Sequence, residues 1–203
     1  MNKDYEILHR ANVHDGFLKV NRYQLRHGSF HGGWCEPVLR ERLEKLAAVS
    51  VLPYDPVRDE VVLIEQFRVG ALEDPAGPWV LETIGGYRHP EESCSDVAQR
   101  ELHEEAHLTA QALERVGEFY VSPGISSERI VLYCAQVDAS SAGGIHGLAE
   151  EGEETRVVVL PVAQAMDALF GRINSTSTLI LTQWLAANRA GLRQRWTGID
   201  PGE

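Results

Sequence analysis

Gly86–Leu108 reads GYRHPEESCSDVAQRELHEEAHL, and this stretch indicates both the fold and the chemistry of the chain. Its second half places three acids within five positions, Glu101, Glu104 and Glu105, and Glu92 lies upstream of a predicted helix start. Residues four apart share one face of a helix, so Glu101 and Glu105 should point the same way. Like charges at that spacing repel each other. The pattern therefore predicts a cation between the carboxylates.

The residues on either side predict a strand, a glycine turn, a loop and a helix in succession. Trp79–Ile84 is an apolar run typical of a short strand, and it leads directly into Gly85 and Gly86. Ser93 with Asp96 three positions later is the pattern of a capping pair that opens a helix. Such an arrangement would project the carboxylates from a rigid element into an open cleft.

The same stretch resembles the signature of the Nudix hydrolases, which reads Gly, five residues, Glu, seven residues, Arg-Glu-aliphatic-any-Glu-Glu-any-Gly-aliphatic. The exception is His107, where the signature has glycine. A glycine there would end the helix with a positive φ, a region that histidine tolerates better than most residues. We therefore expect activity to survive at some cost in stability, and restoring glycine to raise the melting temperature. The positions that match are Gly86, Glu92, Arg100, Glu101, Leu102, Glu104, Glu105 and Leu108.

Composition excludes several classes of function. The chain has 203 residues, 43% of them hydrophobic, which is enough to bury a core. No apolar run approaches the roughly 18 residues of a membrane span, and Met1–Arg10 lacks the apolar segment of a secretory signal. A formal net charge of −11 argues against nucleic acid as a partner, because phosphate backbones bind basic patches. Cys35, Cys94 and Cys134 show no metal-like spacing, so we expect free thiols and a cytoplasmic protein.

Residues 1–46 are predicted to form a small β domain, and residues 47–203 the main domain. Alternating apolar residues predict strands at Phe17–Leu25 and over 38–46, separated by a glycine-rich break. Two or three antiparallel strands form a sheet too small to be stable alone. This section is therefore expected to pack on another surface, in the first place a second subunit.

The main domain is predicted to alternate strands and helices around one long connection. Asp138–Glu154 is acidic, and a connection of that length is usually functional or disordered. Its position between two strands favours a function. The tail Trp196–Glu203 is expected to be frayed. The other predicted elements are a hairpin over 47–53 and 60–67, strands over 115–121, 129–137 and 155–160, and helices over 161–170 and 175–190.

Carboxylate clusters without cysteine or histidine suit hard cations, so Mg²⁺ is the expected ion, with Mn²⁺ as a substitute. Such ions neutralise phosphate oxygens and lower the pKa of a bound water, which suits diphosphate chemistry. Glu101 and Glu105 are the first-choice ligands because they share a face. Arg100, one turn before Glu104, is expected to hold that carboxylate in place. The alternative is a solvated helix face, which the matching upstream Glu92 disfavours.

Further motifs along the chain are Pro53–Pro56, Glu65–Arg68, Leu81–Gly86, Ser122–Gly124, Ser127–Arg129 and Gly144–Leu148. With these motifs the chain is similar, over nearly its whole length, to one Nudix branch, the bacterial ADP-ribose pyrophosphatases. The resemblance implies an α/β fold: an α/β/α Nudix sandwich with a mixed sheet, and a small N-terminal antiparallel β domain that is swapped in a homodimer. It also implies Mg²⁺-dependent cleavage of ADP-ribose to AMP and ribose 5-phosphate.

Site residues follow from this resemblance, position by position. Glu151, on the acidic connection, matches the residue taken as the general base, and closing that segment over substrate would exclude bulk water. Glu104 and Arg100 complete the catalytic set. The implied metal ligands are the carbonyl of Gly85 and the carboxylates of Glu101, Glu105 and Glu153.

The resemblance also implies a substrate-binding set. Arg68 resembles an arginine near the ADP portion, and Glu128 an acid that faces the terminal ribose. Phe17 and Arg40 resemble contacts that reach across from the partner subunit, although a strand core residue and a surface charge are the simpler interpretations of these two. Tyr87 matches a substrate-contacting position, where its larger ring could alter the sugar-side pocket. The remaining implied contacts are Leu18, Ser122 and Gly124.

Two alternatives to ADP-ribose hydrolysis remain at this point. One is the same chemistry on another nucleotide sugar, such as a GDP-sugar. The other is a catalytically silent ADP-ribose sensor on a Nudix scaffold, which the retained carboxylates disfavour. The sequence also leaves open how many ions bind, and which of Glu150, Glu151, Glu153 and Glu154 is the base.

Overall fold

The computed structural model describes residues 3–148, 150 and 152–198. None of the helices in this part of the chain combines the length and the apolar character that a membrane span needs. The strands are β1 (Tyr5–Asp15), β2 (Lys19–His27), β3 (Val38–Glu44), β4 (Ala48–Asp55), β5 (Glu60–Phe67), β6 (Trp79–Glu82), β7 (Ile84–Tyr87), β8 (Ala112–Tyr120), β9 (Arg129–Gln136), β10 (Ile145–His146) and β11 (Thr155–Pro161). The α-helices are α1 (Cys94–Ala106), α2 (Val162–Asp167) and α3 (Thr176–Thr197).

Contacts divide the chain into two compact units. The smaller unit comprises Met1–Ala47 and Phe119–Ile130, and the larger comprises Ala48–Glu118 and Val131–Glu203. The division into domains 1–46 and 47–203 stays a prediction. The units differ from it in two respects, because Ala47 and residues 119–130 join the N-terminal segment.

That added segment is held by the end of β3. The Leu43 N–H donates to the Ile125 carbonyl at 2.8 Å, and the Ser127 N–H donates to the Leu43 carbonyl at 3.0 Å. The Lys45 N–H also donates to the Ser127 hydroxyl at 3.0 Å. The pairing joins residues more than 80 positions apart in the sequence, so no local pattern could have indicated it.

The smaller unit contains an antiparallel sheet in the order β1-β2-β3. The predicted strands near Phe17–Leu25 and over 38–46 are confirmed as β2 and β3. β1 was not predicted, although Tyr5, Ile7, Ala11 and Val13 fall on alternate positions; ten of its eleven residues are exposed. On β2, Tyr23 is buried and its hydroxyl donates to Glu44 at 2.6 Å.

The larger unit is built on a mixed sheet in the order β10-β11-β5-β4-β9-β8, with β6 paired to β5 and β7 to β4. β4 is buried throughout, as strands covered on both faces are. Val49 and Val51 pack in one core cluster with Val97 and Leu102 of α1. Tyr54 lies at an even position of β4 and therefore on the opposite face from Val49 and Val51. Its ring contacts that of Trp196 of α3, with centroids 6.4 Å apart. Helices therefore cover both faces, and the predicted α/β/α sandwich is confirmed.

Thr83 divides the predicted strand Trp79–Ile84 into β6 and β7. β6 pairs with β5, whereas β7 pairs with β4. The Thr83 N–H leaves the ladder and donates to the Thr178 hydroxyl at 2.9 Å, and its own hydroxyl lies 2.7 Å from that of Ser50. A side chain of α3 thus satisfies the backbone group that the sheet releases.

Two predicted helices have different lengths in the structure. α2 ends at Asp167, before a turn in which Phe170 has a φ of 62°. α3 does not end near Gly191 but continues to Thr197. Burial of Leu192 and the contact of Trp196 with Tyr54 outweigh the cost of a glycine within a helix, which is about 1 kcal/mol. The frayed tail was therefore placed too early, and residues 199–203 lie outside the described part.

Replacing Gly191 with alanine tests this extended helix. We expect Gly191→Ala to raise the free energy of unfolding by about 0.5–1 kcal/mol, because it removes backbone freedom from the unfolded chain. A Cβ at this position would meet only the Arg195 guanidinium, at 3.4 Å. Gly198→Ala is the matched control and should be destabilising, since Gly198 ends α3 with a φ of 73°. If Gly191→Ala is destabilising in urea denaturation, the helix ends where the sequence suggested.

Candidate active site

Two consecutive glycines allow β7 to lie close to its neighbours. A Cβ on Gly85 would collide with the Val49 carbonyl of β4, and one on Gly86 would collide with the Glu101 carboxylate. The Gly85 N–H donates to Glu105 Oε2 at 3.0 Å. The glycine turn is therefore what lets the acidic face of α1 approach the sheet.

The helix that carries the acids begins and ends as predicted. The Ser93 hydroxyl accepts from the Asp96 N–H at 3.1 Å, and the Asp96 carboxylate accepts from the Ser93 N–H at 3.2 Å, which forms a capping box. At the other end, His107 adopts the left-handed region with φ 52°. The Leu108 N–H then donates to the Leu102 carbonyl at 3.0 Å, as in a Schellman motif. Both ends of α1 are thus defined by local geometry.

Glu101 and Glu105 are buried on the face of α1 that meets the sheet, with exposures of 7% and 2%. Burial raises the pKa of Glu101 to about 7, with Arg100 opposing the shift and Glu104 adding to it. Burial raises the pKa of Glu105 to about 8, opposed by the hydrogen bond from Gly85 and increased by the charge of Glu101. The two carboxyl groups lack enough positive charge to ionise fully at neutral pH.

Arg100 connects three of the acids. Its Nη1 donates to Glu101 Oε1 at 2.8 Å and to Glu104 Oε2 at 3.0 Å, and its Nε donates to Glu92 Oε1 at 2.9 Å. The predicted contact with Glu104 is confirmed, and Glu92 and Glu101 share the same guanidinium. The arginine acts as an internal counter-ion that orients the cluster.

Glu153 joins this group from the other side. Gln66 Nε2 donates to Glu153 Oε1 at 3.4 Å, and the charge of Glu153 raises the pKa of both Glu101 and Glu105. Arg68 donates to Glu82 at 2.6 Å and is also within the electrostatic reach of Glu105 and Glu153. The structure thereby brings together an acid of the 138–154 connection and the acids of α1, which lie about 50 positions earlier.

Gln66 and Glu82 were not predicted to belong to the site. Both lie within the quoted motifs Glu65–Arg68 and Leu81–Gly86, which was the available signal. Gln66 is 5% exposed, and its Oε1 has no hydrogen-bond partner among the described residues. A buried carbonyl oxygen without a partner is costly unless a water or an ion completes it.

The other predicted site residues lie in two groups. Tyr87 ends β7, is 42% exposed, and its carbonyl accepts from Arg100 at 3.3 Å. Phe17 is 94% exposed, so it is not strand core, and the Lys45 ammonium lies 5.3 Å from its ring centroid. Glu151 lies outside the described residues. The predicted contacts that fall in the smaller unit, with Phe17, are Leu18, Arg40, Ser122, Gly124 and Glu128.

The donor set fits a hard divalent cation. The groups present are carboxylates, the Gly85 backbone and the unpartnered Gln66 oxygen, which are oxygen donors of the kind that Mg²⁺ and Mn²⁺ prefer. In the described part of the chain, no three His, Cys, Asp or Glu side chains already form a cage for an ion. The Glu101 and Glu105 oxygens are instead held by Arg100 and the Gly85 N–H.

Comparisons with known proteins agree with this geometry. Residues 44–179 match the family model described as NUDIX domain. An ADP-ribose pyrophosphatase of Escherichia coli strain K12 is 42% identical over 194 residues, covering 95% of this chain and 93% of that protein. An ADP-ribose pyrophosphatase of Haemophilus influenzae is 41% identical over 198 residues, covering 96% and 91%.

Two further likenesses are more distant. A GDP-mannose pyrophosphatase of Cronobacter sakazakii is 32% identical over 180 residues, covering 85% of this chain and 93% of that protein. The fold is similar to a solved structure of an ADP compounds hydrolase, with a TM-score of 0.71 and 23% identity over 93% of this chain and 97% of that one. The second likeness supports the fold alone.

The raised pKa values predict a pH dependence of stability in metal-free protein. Because the folded state binds these protons more tightly than the unfolded state, the stabilisation is complete below about pH 4.5 and is lost as the pH rises through about 7 to 8. We expect the unfolding free energy in chelator to fall by on the order of 2–4 kcal/mol between about pH 5.5 and 8.5.

Glu105→Gln should remove much of that loss, because a neutral amide can still accept from the Gly85 N–H. Glu92→Gln is the control, since the Arg100 hydrogen bond lowers the pKa of Glu92 and it does not titrate in this range. Urea denaturation at several pH values measures how steeply the unfolding free energy falls with pH. An equal slope in wild type and Glu105→Gln would contradict the assignment.

The left-handed conformation of His107 gives a second prediction. Glycine has no steric cost at φ 52°, whereas alanine has the full cost, so His107→Gly should be more stable than His107→Ala by about 1 kcal/mol. We also expect the melting temperature of His107→Gly to be higher than that of the wild type. Thermal melts of the three proteins compare them, and a melting temperature of His107→Gly below that of His107→Ala would contradict the backbone argument.

Proposed function

This chain belongs to the Nudix family, and from that premise we propose that it hydrolyses the diphosphate of ADP-ribose to AMP and ribose 5-phosphate. The observation that carries the proposed chemistry is the burial of Glu101 and Glu105 with too little positive charge around them. The relatives at 41% and 42% identity, both ADP-ribose pyrophosphatases, support the choice of substrate.

Hydrolases of this family generally need a divalent metal ion, and we propose Mg²⁺, with Mn²⁺ as a substitute. The proposed ligands are the Gly85 carbonyl, Glu101, Glu105 and Glu153. When bound, the metal would neutralise diphosphate oxygens and lower the pKa of a water. Burial of the carboxylates beside the glycine turn supports this assignment, since a bound cation would stabilise their ionised form in place of a proton.

The residues of the chain would divide the remaining work. Arg100 holds Glu92, Glu101 and Glu104 in one arrangement. Glu151 is the proposed general base, which takes a proton from the attacking water. Gln66 donates to Glu153 and so fixes its carboxylate on the same side as Glu105.

We propose that the protein is a cytoplasmic homodimer and that both of its subunits contribute to substrate recognition. In each subunit, residues 1–46 would form the swapped β domain and residues 47–203 the Nudix domain. The exposure of Phe17, in the turn between β1 and β2, supports a partner for this surface. Arg68 would contact the ADP portion and Glu128 the terminal ribose. The further proposed contacts are Phe17, Leu18, Arg40, Tyr87, Ser122 and Gly124.

A second candidate is hydrolysis of a GDP-sugar, which the 32% identity to a GDP-mannose pyrophosphatase favours. Hydrolysis rates for ADP-ribose and GDP-mannose with Mg²⁺ decide between them. We expect kcat/KM for ADP-ribose to be higher by roughly tenfold or more, since a site that hydrogen-bonds one base rejects another that leaves its polar groups unpaired. A higher value for GDP-mannose would overturn the choice, and ADP-ribose binding without AMP release would indicate a sensor.

Two glutamine variants separate the proposed base from the proposed ligand. Glu151→Gln should lower kcat by roughly 10²–10⁴-fold with metal affinity unchanged, because only the proton acceptor is lost. Glu153→Gln should weaken Mn²⁺ binding measured by electron paramagnetic resonance. Glu60→Gln is the matched control, because Glu60 is the first residue of β5 and its carboxylate pairs with Arg58. Wild-type rates in both variants would refute the assignment of this segment.

A further inference from the structure

We propose that His107 and His146 are positioning residues that hold the segment bearing Glu153 against the end of α1. His107 stands where the family signature has glycine, so this contact distinguishes the chain from that pattern. The catalytic part of the inference rests on the proposed function, but the positioning itself does not. The three imidazoles His103, His107 and His146 are called the histidine stack below.

The rings of the histidine stack lie in sequence from helix to strand. His103 and His107 are 5.3 Å apart between centroids with an interplanar angle of 10°, and His107 and His146 are 4.5 Å apart at 41°. His107 Nδ1 lies 3.0 Å from the His103 carbonyl, and His146 Nε2 lies 2.8 Å from the Gly143 carbonyl. Each of these two contacts with a carbonyl fixes the orientation of one ring. The rings of His107 and His146 therefore contact each other in a defined geometry.

The contact is transmitted to Glu153 through the next residue. Gly147 follows His146, and its N–H points to the Glu104 carbonyl at 3.4 Å. A Cβ on Gly147 would lie 2.7 Å from the Glu153 carbonyl oxygen, so the two backbones are in direct contact. Whatever holds His146 against α1 therefore also limits where Glu153 can lie.

Two further hydrogen bonds attach this segment. The Thr155 hydroxyl donates to the Glu105 carbonyl at 3.1 Å, and the Val157 N–H donates to the Gly144 carbonyl at 3.0 Å. β10 itself is only two residues long, pairing Ile145 with Arg156 and His146 with Thr155. A strand of that length is weak, so a side-chain contact with the helix is the natural support.

Two other interpretations of the histidine stack are less satisfactory. Three imidazoles suggest a transition-metal site, but no three His, Cys, Asp or Glu side chains in the described residues are grouped to hold an ion. The second interpretation is that His107 replaces glycine without forming any stabilising contact. In that case the replacement would only destabilise the protein, because a non-glycine residue in the left-handed region has a steric cost. The contact between the His107 and His146 rings supplies the missing benefit.

Amide hydrogen exchange in metal-free protein tests the positioning without substrate or ion. At one fixed pH, His107→Gly and His146→Ala should each speed exchange at Gly147, Glu153 and Val157 by roughly three- to tenfold, the range expected for loss of one ring pair. The double variant should exchange no faster than either single variant. His146→Phe keeps a ring and should stay close to wild type.

His103→Ala is the matched control, since it removes a ring that contacts only the helix side of the histidine stack. His107→Gly also separates positioning from general stability, because the melting temperature should rise while exchange at Gly147 accelerates. Both variants exchanging like wild type, or additive effects in the double variant, would overturn the proposal. These results stand even if the protein does not cleave ADP-ribose.

If the wild type does hydrolyse ADP-ribose, His107→Gly and His146→Ala should each weaken Mn²⁺ binding by roughly the same three- to tenfold as they speed exchange. Both variants should lower kcat more than they change KM for the substrate. Unchanged Mn²⁺ affinity and kcat in His107→Gly, despite faster exchange, would refute the link from the histidine stack to the site. Failure of ADP-ribose hydrolysis in the wild type would count against the proposed function alone.

Discussion

The burial of two like-charged carboxylates, Glu101 and Glu105, is the constraint on which the rest of the site depends. Their exposures of 7% and 2% would be hard to sustain if both were fully ionised. The protein offsets part of the cost with one guanidinium and one backbone N–H. The remainder appears as pKa values of about 7 and about 8. This incomplete counter-charge is the reason for proposing a cation at the pair.

The architecture around the pair can be understood as the means of burying it. Gly85 and Gly86 remove the Cβ atoms that would separate β7 from β4 and from Glu101. The capping box at Ser93 fixes where α1 begins, and therefore which acids face the sheet. Packing of Val97 and Leu102 into the core makes that orientation the stable one. The packing of α1 into the core thus also determines where its acids lie.

The acidic connection shows how a distant segment becomes part of the site. Gly147 within it and Thr155 just after it donate to the carbonyls of Glu104 and Glu105, which the last turn of a helix leaves without internal partners. His107 both ends the helix in the left-handed region and contacts the ring of His146. A departure from the signature that looks like a defect in the sequence therefore has a structural use. Gln66 completes the arrangement by donating to Glu153 from β5.

The sequence by itself determined the features whose causes are local. The capping box, the helical face of the acids, the left-handed His107 and the main strands all follow from neighbours within a few positions, and the structure agrees with them. Only the tertiary structure decided the continuation of α3 through Gly191, the break of a strand at Thr83, the attachment of 119–130 to β3, and the partnership of Gln66 with Glu153. Each depends on contacts between residues remote in sequence, and the free energy of such contacts exceeds the local preferences from which a sequence pattern is read.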